Sequence, residues 1–373
     1  MKFEHLSEGL KSMNFKSTLS DPCIFTRGQN IIIIYVDDCC IIGQSEEETK
    51  KIYEELEDKG FKLTDEGSME SYLGLHIDRS KGGEFTISQP YLVDRIISLI
   101  PGMKDAKLSK TPASTDQILT KDLEGQGRKD QWNYRSVIGM LNYLVNCSQP
   151  DLAYSVHQCA RFCIEPRQSH EQAVKKIIRC LLYLKRINQL GVKYVPDESR
   201  SLEVFVDASF AGEWNKHWSD EPTLVMSRTG YVIKYANCPI ICFSKLQTEI
   251  ALSTTESEYI AFSQAMRDVI PMMRLLKELQ KVMPHSQSTP TLHCKSYEDN
   301  RGCIDLINSP RLRPRTKHIA LKYHHFREHI KSKTISVEYI ETGDQIADIF
   351  TKALAAPQFL KLRSLLTGHE SPG

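Results

Sequence analysis

Two places in the sequence gather carboxylates in patterns that chemistry can use. The first is Tyr35-Val36-Asp37-Asp38, with Ile31–Ile34 in front and Cys39–Ile42 behind. Runs of β-branched apolar residues read as buried strands, and two of them around a short acidic turn read as a β-hairpin. Asp37 and Asp38 then stand at its tip, within reach of solvent or a metal ion. Two adjacent carboxylates on an apolar hairpin call for a neutralising cation. The second place is spread along the chain. Asp207 ends a strand, Glu258 lies in the first turns of a long helix, Asp299 follows a strand, and Asp348 is near the start of the last helix. Strand ends and helix starts can converge on one edge of an α/β sheet. Four carboxylates gathered there repel one another unless divalent cations bind. The chemistry that uses such a cluster is two-metal phosphodiester cleavage, with ions about 3.5–4 Å apart. Spacing alone leaves Glu256 as a competitor of Glu258, since it can serve as the helix cap, and Asp344 as a competitor of Asp348.

A basic segment separates Asp299 from Asp348. It holds Arg311, Arg313, Arg315, Lys317, His318, Lys322, His324, His325 and Arg327, with Tyr323 and Phe326 interleaved. Beside an acidic cluster such a stretch can hold phosphates and stack on a sugar or base. The plainer alternative is a solvated helical face.

The elements that must position these residues can be read from patterning. Leu6, Leu10 and Met13 give a first helix, and Ser45 followed by three glutamates opens another that ends at Gly60. Phe61–Thr64, Tyr72–Ile77 and Glu84–Ser88 alternate as strands, and Gln89–Ile100 reads as a helix. Residues 110–130 form a polar linker, followed by helical patterns at Tyr134–Cys147, Asp151–Cys163 and His170–Asn188. From Ser201 the order is three strands, helix, strand, helix, strand, helix: Leu202–Val206, Thr229–Lys234, Pro239–Ser244, Ser253–Gln280, Thr291–Lys295, Asn300–Ile307, Ile335–Ile340, and a helix from about Asp344. That is the order of a mixed-sheet α/β layer.

A chain of 373 residues with net charge +1 and 40% apolar residues is of globular composition, and any basic surface must be local. No run approaches the roughly 18 apolar residues of a membrane span. The eleven cysteines are scattered and odd in number, as expected of reduced thiols inside a cell, and they lack zinc spacing.

The residues resemble the carboxy-terminal part of the copia-type retrotransposon Pol polyproteins, the end of a reverse transcriptase followed by ribonuclease H. The resemblance is carried by Asp21-Pro22-Cys23-Ile24-Phe25, Tyr35-Val36-Asp37-Asp38, Tyr72-Leu73-Gly74-Leu75, Tyr134–Leu144 and Gln149-Pro150-Asp151-Leu152-Ala153. It continues through Val206-Asp207-Ala208, Ser227–Tyr231, Leu252–Ala261, Asp299-Asn300, Thr316–Ile319, His325–Glu328 and Ala347–Lys352. Each motif is weak alone, but their order and spacing are specific. The resemblance assigns the catalytic and metal-binding set to Asp207, Glu258, Asp299 and Asp348, rather than Glu256 and Asp344, and makes Asp37 and Asp38 polymerase metal ligands.

The fold it implies is α/β of mixed type: a partial reverse-transcriptase palm at 1–109, a linker and helical thumb or connection at 110–197, a ribonuclease H-like mixed-sheet domain at 198–356, and a tail at 357–373. A palm of this family needs a third carboxylate on an earlier strand, and fingers, which the resemblance places before Met1; Asp21 is no substitute. The expected activity is therefore hydrolysis of the RNA strand of RNA–DNA hybrids with two Mg2+ ions, or Mn2+, beside an incomplete polymerase site. The alternative is a non-catalytic, nucleic-acid-binding relic of a truncated element. Expected partners are the hybrid, template RNA, nascent DNA and the rest of the Pol polyprotein, with no membrane. Arg315, Lys317, His318, Lys322, His325 and Arg327 are the expected nucleic-acid contacts, and the expected location is inside the cell, in cytoplasmic particles or the nucleus.

Overall fold

The computed structural model describes residues 3–80, 82–212, 214, 222–283, 292–309 and 321–371. The chain forms two compact units, Met1–Met69 with Arg267–Leu292, and Glu70–Met266 with His293–Gly373.

In the first unit, α1 (Phe3–Ser12) precedes strands β1 (Lys16–Ser17), β2 (Ile24–Arg27), β3 (Asn30–Tyr35) and β4 (Asp38–Ile42), then α2 (Glu46–Asp58). The strands form an antiparallel sheet in sequence order. The Ser45 hydroxyl caps α2 by accepting from the Glu48 amide at 3.3 Å, and Glu46, Glu47 and Glu48 lie at the positive end of its dipole. Leu6 and Leu10 of α1, Ile52 and Leu56 of α2, and Phe25, Ile32 and Ile34 of the sheet share one apolar core. Residues 61–64 form no strand, against expectation. Their apolar side chains pack on that core instead: Phe61 is buried in it and Leu63 lies against it. The Phe61 ring lies so close to Gly9 that a Cβ there would meet Phe61 Cζ at 2.4 Å.

The second unit contains β5 (Ser71–Tyr72), β6 (Leu75–Arg79), β7 (Phe85–Ser88), α3 (Pro90–Leu99), α4 (Tyr134–Cys147), α5 (Ala153–Ala160), α6 (Gln168–Arg186) and β8 (Val192–Tyr194). It continues with β9 (Leu202–Ser209), α7 (Pro222–Val225), β10 (Arg228–Tyr235), β11 (Cys238–Leu246) and α8 (Thr254–Gln280), whose residues from Arg267 belong to the first unit. The last elements are β12 (Cys294–Glu298), α9 (Arg301–Asn308), α10 (Arg327–Lys331), β13 (Ile335–Tyr339), α11 (Asp348–Thr351) and α12 (Ala356–Thr367). Strands β5 to β8 form one antiparallel sheet. The other sheet has the order β11-β10-β9-β12-β13, antiparallel on the β9–β11 side and parallel where β12 joins β9 and β13. Helices supply its apolar cover: Leu141 and Leu144 of α4, Val156 of α5 and Ile177 and Leu181 of α6 share a core with Phe205, Val232 and Phe350.

Pairing of β7 with β8 ties residues 85–87 to 192–194, and both segments belong to the second unit. The stretch read as a tail from residue 357 contains most of α12, with Phe359, Leu360, Leu362 and Leu366 buried. Its Arg363 is buried too, donating to Asp151 Oδ2 at 3.0 Å and to Gln189 Oε1 at 2.8 Å. The eleven cysteines form no disulfide.

Removing one partner of a buried ion pair strands the other charge, which costs about 3–5 kcal/mol. Arg363→Ala is expected to lose that order of stability in urea unfolding, and Arg363→Ala with Asp151→Leu to regain much of it. A single variant within about 1 kcal/mol of wild type would contradict the pairing.

Candidate metal centre

The parallel neighbours β9 and β12 deliver carboxylates to the same sheet edge. Asp207 lies within β9 rather than at its end, because pairing with β10 continues to Ser209 opposite Arg228. Asp299 follows β12 directly, and its Oδ2 accepts from the Thr342 hydroxyl at 2.8 Å. The third carboxylate comes from α8. Ser253 Oγ accepts from the Glu256 amide at 3.2 Å, and Glu256 Oε2 accepts from the Leu252 amide at 2.8 Å. Glu256 is thereby committed to the cap, while Glu258 is buried. Ligand oxygens of Asp207, Glu258 and Asp299 all lie within 4.8 Å of one another, a group able to hold a metal ion.

Asp348, the first residue of α11, is buried, and the charges of Asp207 and Asp348 act on one another. The Thr351 hydroxyl donates to Asp207 Oδ2, and Lys352 Nζ lies 2.8 Å from Asp348 Oδ1. Asp344 is turned to other work: its Oδ1 pairs with Lys361 Nζ at 2.7 Å. Gly230 faces Asp207 across the β9–β10 pair. A Cβ on it would meet Thr351 Cγ2 at 2.6 Å and Phe350 Cβ at 2.8 Å, so the glycine lets α11 lie on the strand.

Sequence reasoning missed Glu298 and Lys352. Glu298 is fully buried; its Oε1 accepts from the Asn300 amide at 3.1 Å, and its Oε2 has no hydrogen-bond partner among the described residues. The available signal was the acidic pair Glu298-Asp299 itself, hidden because burial of a strand-end residue depends on the helix covering it.

Burial dominates the electrostatics. It raises Asp207, and it lifts Glu258 and Glu298 well above the usual carboxylate range, with neighbouring carboxylate charges adding to it. Asp348 is pushed up to about 7 by burial and then by Asp207, against the pull of Lys352. Burial would lower Lys352, but Asp207 and Asp348 outweigh it and hold the ammonium above its ordinary value. Glu258 Oε2, like Glu298 Oε2, is buried without a partner among the described residues. A cluster of oxygen donors with orphaned lone pairs fits a hard divalent cation.

Asp37 and Asp38 lie in the first unit and are exposed. Tyr35 pairs with Asp38, so Val36 and Asp37 make the turn, and Val36 takes a left-handed φ of 54°. Among the described residues no third carboxylate, histidine or cysteine joins these two at ligand distance. Of the expected nucleic-acid contacts, Arg315, Lys317 and His318 lie outside the described residues, as does the side chain of Lys322. His325 is exposed. The Arg327 guanidinium donates to Tyr259 Oη at 3.3 Å, Ser309 O at 3.1 Å and Leu306 O at 3.3 Å, and so braces the fold.

Residues 1–115 match the family model of the reverse transcriptase (RNA-dependent DNA polymerase). The retrovirus-related Pol polyprotein from transposon TNT 1-94 of Nicotiana tabacum is 31% identical over 100% of this chain and 27% of its own length. Those from transposons RE2 and RE1 of Arabidopsis thaliana are 29% and 28% identical over 94% and 97% of this chain, each over 23% of its own length. The chain thus spans about a quarter of the length of the curated relatives it matches.

Two outcomes are expected. Gly230→Ala must push α11 from β10, and should weaken Mn2+ binding by about tenfold or more while lowering stability; unchanged affinity would contradict the packing. A carboxyl raised above its ordinary value favours folding while protonated, and that contribution fades as pH rises through about 7 for Asp348. The cation-free protein should therefore lose melting temperature on going from about pH 5 to pH 8, and Mg2+ should raise it more at the higher pH. Equal metal shifts at both pH values would contradict the assignment.

Proposed function

The chain belongs to the Pol polyproteins of copia-type retrotransposons, and from that premise we propose that its acidic centre hydrolyses the RNA strand of RNA–DNA hybrids with Mg2+ or Mn2+ bound. The observation that carries this reading is the convergence of Asp207, Glu258 and Asp299 oxygens within 4.8 Å, with the buried Asp348 near enough for the charge of Asp207 to act on it. Carboxylates so buried are stable in charged form only beside cations.

Asp207, Glu258, Asp299 and Asp348 would hold two divalent ions. Bound ions supply a nucleophilic water and offset the charge that builds on the scissile phosphate. The chain's own residues fix the geometry. Thr351 holds one oxygen of Asp207, Thr342 holds Asp299, and the cap made by Ser253 and Glu256 fixes the start of α8 and with it Glu258. Discrimination of hybrid from duplex DNA would rest on contacts to RNA 2′-hydroxyls. His325, with Arg315, Lys317, His318 and Lys322, is proposed to face the phosphate backbone.

Under this reading residues 198–356 act as a ribonuclease H-like domain extended by α12, residues 110–197 as a thumb or connection, and residues 1–109 as part of a palm. The family match over 1–115 supports the last. Asp37 and Asp38 would serve RNA-directed DNA synthesis only with a further carboxylate, so hydrolysis is the chemistry proposed for this chain. Template RNA, nascent DNA and other Pol segments are the proposed partners. Among the described residues no helix is long and apolar enough to cross a membrane.

The test is Mg2+-dependent cleavage of an RNA–DNA hybrid, with single-stranded RNA and duplex DNA as controls. Asp299→Asn should lower the rate by more than about a hundredfold, since even outer partners of metal ligands cost 10–100-fold. Equal rates in both proteins, or no cleavage by either, would contradict the proposal.

A further inference from the structure

A lysine reaches into the acidic cluster. Lys352 follows α11 as its extended C-cap residue, and its Nζ lies 2.8 Å from Asp348 Oδ1. The charges of Asp207 and Asp299 act on it as well. Its side chain is 43% exposed, whereas that of Asp348 is 4% exposed. The ammonium therefore reaches a buried carboxylate from the solvent side. The three-ligand group forms without Asp348, and within it Glu258 Oε2 is buried with no hydrogen-bond partner among the described residues. The centre thus offers two unlike places. Glu258 Oε2 and Asp348 Oδ1 both lack a hydrogen-bond partner among the described residues, but the Lys352 ammonium lies 2.8 Å from the second.

We propose that Lys352 is an internal competitor for the second divalent cation: it holds Asp348 until that cation displaces it, so that the two ions bind in order and with unequal affinity. The proposal rests on the metal-centre reading above. A lysine ammonium is a compact charge on a flexible stem, and Lys352, being half exposed, can swing its ammonium into solvent when a cation takes its place. A divalent cation gains more from clustered carboxylate oxygens than a monovalent one. The charge count agrees. Asp207, Glu258, Asp299 and Asp348 carry four negative charges when ionised; one divalent cation with Lys352 offsets three, and two divalent cations offset all four. The displaced ammonium is then left at the mouth of the site, facing a polyanionic substrate.

The experiment is titration of the full chain with Mn2+, the free ion being followed by electron paramagnetic resonance. Wild type is compared with Lys352→Met, Lys352→Gln and Asp348→Asn. Wild type should bind in a tighter and a weaker step. Lys352→Met and Lys352→Gln should tighten the weaker step roughly tenfold and leave the tighter one within about twofold. Asp348→Asn should lose the weaker step. A weaker step that neither lysine variant tightens would overturn this proposal alone. Failure of wild type to bind Mn2+ at all would overturn the metal-centre reading, and this proposal with it.

Discussion

The constraint on which the second unit depends is the cost of holding several carboxylates in a poorly solvated place. Asp207, Glu258, Glu298 and Asp348 are all buried, and their mutual repulsion adds to the loss of hydration. An arrangement of this kind persists only if something offsets the charge. The Lys352 ammonium lies against Asp348, burial raises these carboxyls toward their protonated forms, and divalent cations would offset the charge in their place. Each surrounding feature can be understood as a means of keeping the oxygens together despite that repulsion.

The sheet supplies most of the means. Because β9 and β12 are parallel neighbours, their chain direction brings Asp207 and Asp299 to one edge. The glycine at 230 removes the side chain that would separate β10 from α11, and Thr351 then hydrogen-bonds to Asp207. Ser244 Oγ donates to the Phe350 carbonyl at 2.6 Å and ties the same short helix to β11. Farther back, the Arg363–Asp151 pair locks α12 to the helical layer. The acidic edge is thus backed by a rigid, well-packed body, as a site that must hold ligands in a narrow geometry requires.

Much of this was legible in the sequence. Alternation and capping residues placed β9 to β11, α2, α4 and the start of α8, since the burial of their apolar faces is local and periodic. Asp207, Glu258, Asp299 and Asp348 stand at strand and helix positions that patterning alone can place. Other features depended on long-range partners and were not legible. Glu298 and Lys352 gain their meaning from a covering helix and from an acid four residues earlier. Arg327 sits in a basic run and resembles a phosphate ligand, yet backbone carbonyls from α9 and beyond claim its donors. Residues 61–64 alternate like a strand, but their apolar side chains are buried on the core of the first unit. The apolar residues of α12 follow a weak helical pattern, and the buried arginine among them masks its core face.

The central claim is that the carboxylates on this sheet edge form a divalent-cation centre. It is tested most directly by anomalous diffraction from crystals of the full chain soaked in Mn2+. The account predicts a peak enclosed by Asp207, Glu258 and Asp299, with a second touching Asp348 at higher Mn2+ concentration. A map with no peak in contact with these carboxylates at saturating Mn2+, and with Lys352 still on Asp348, would contradict it.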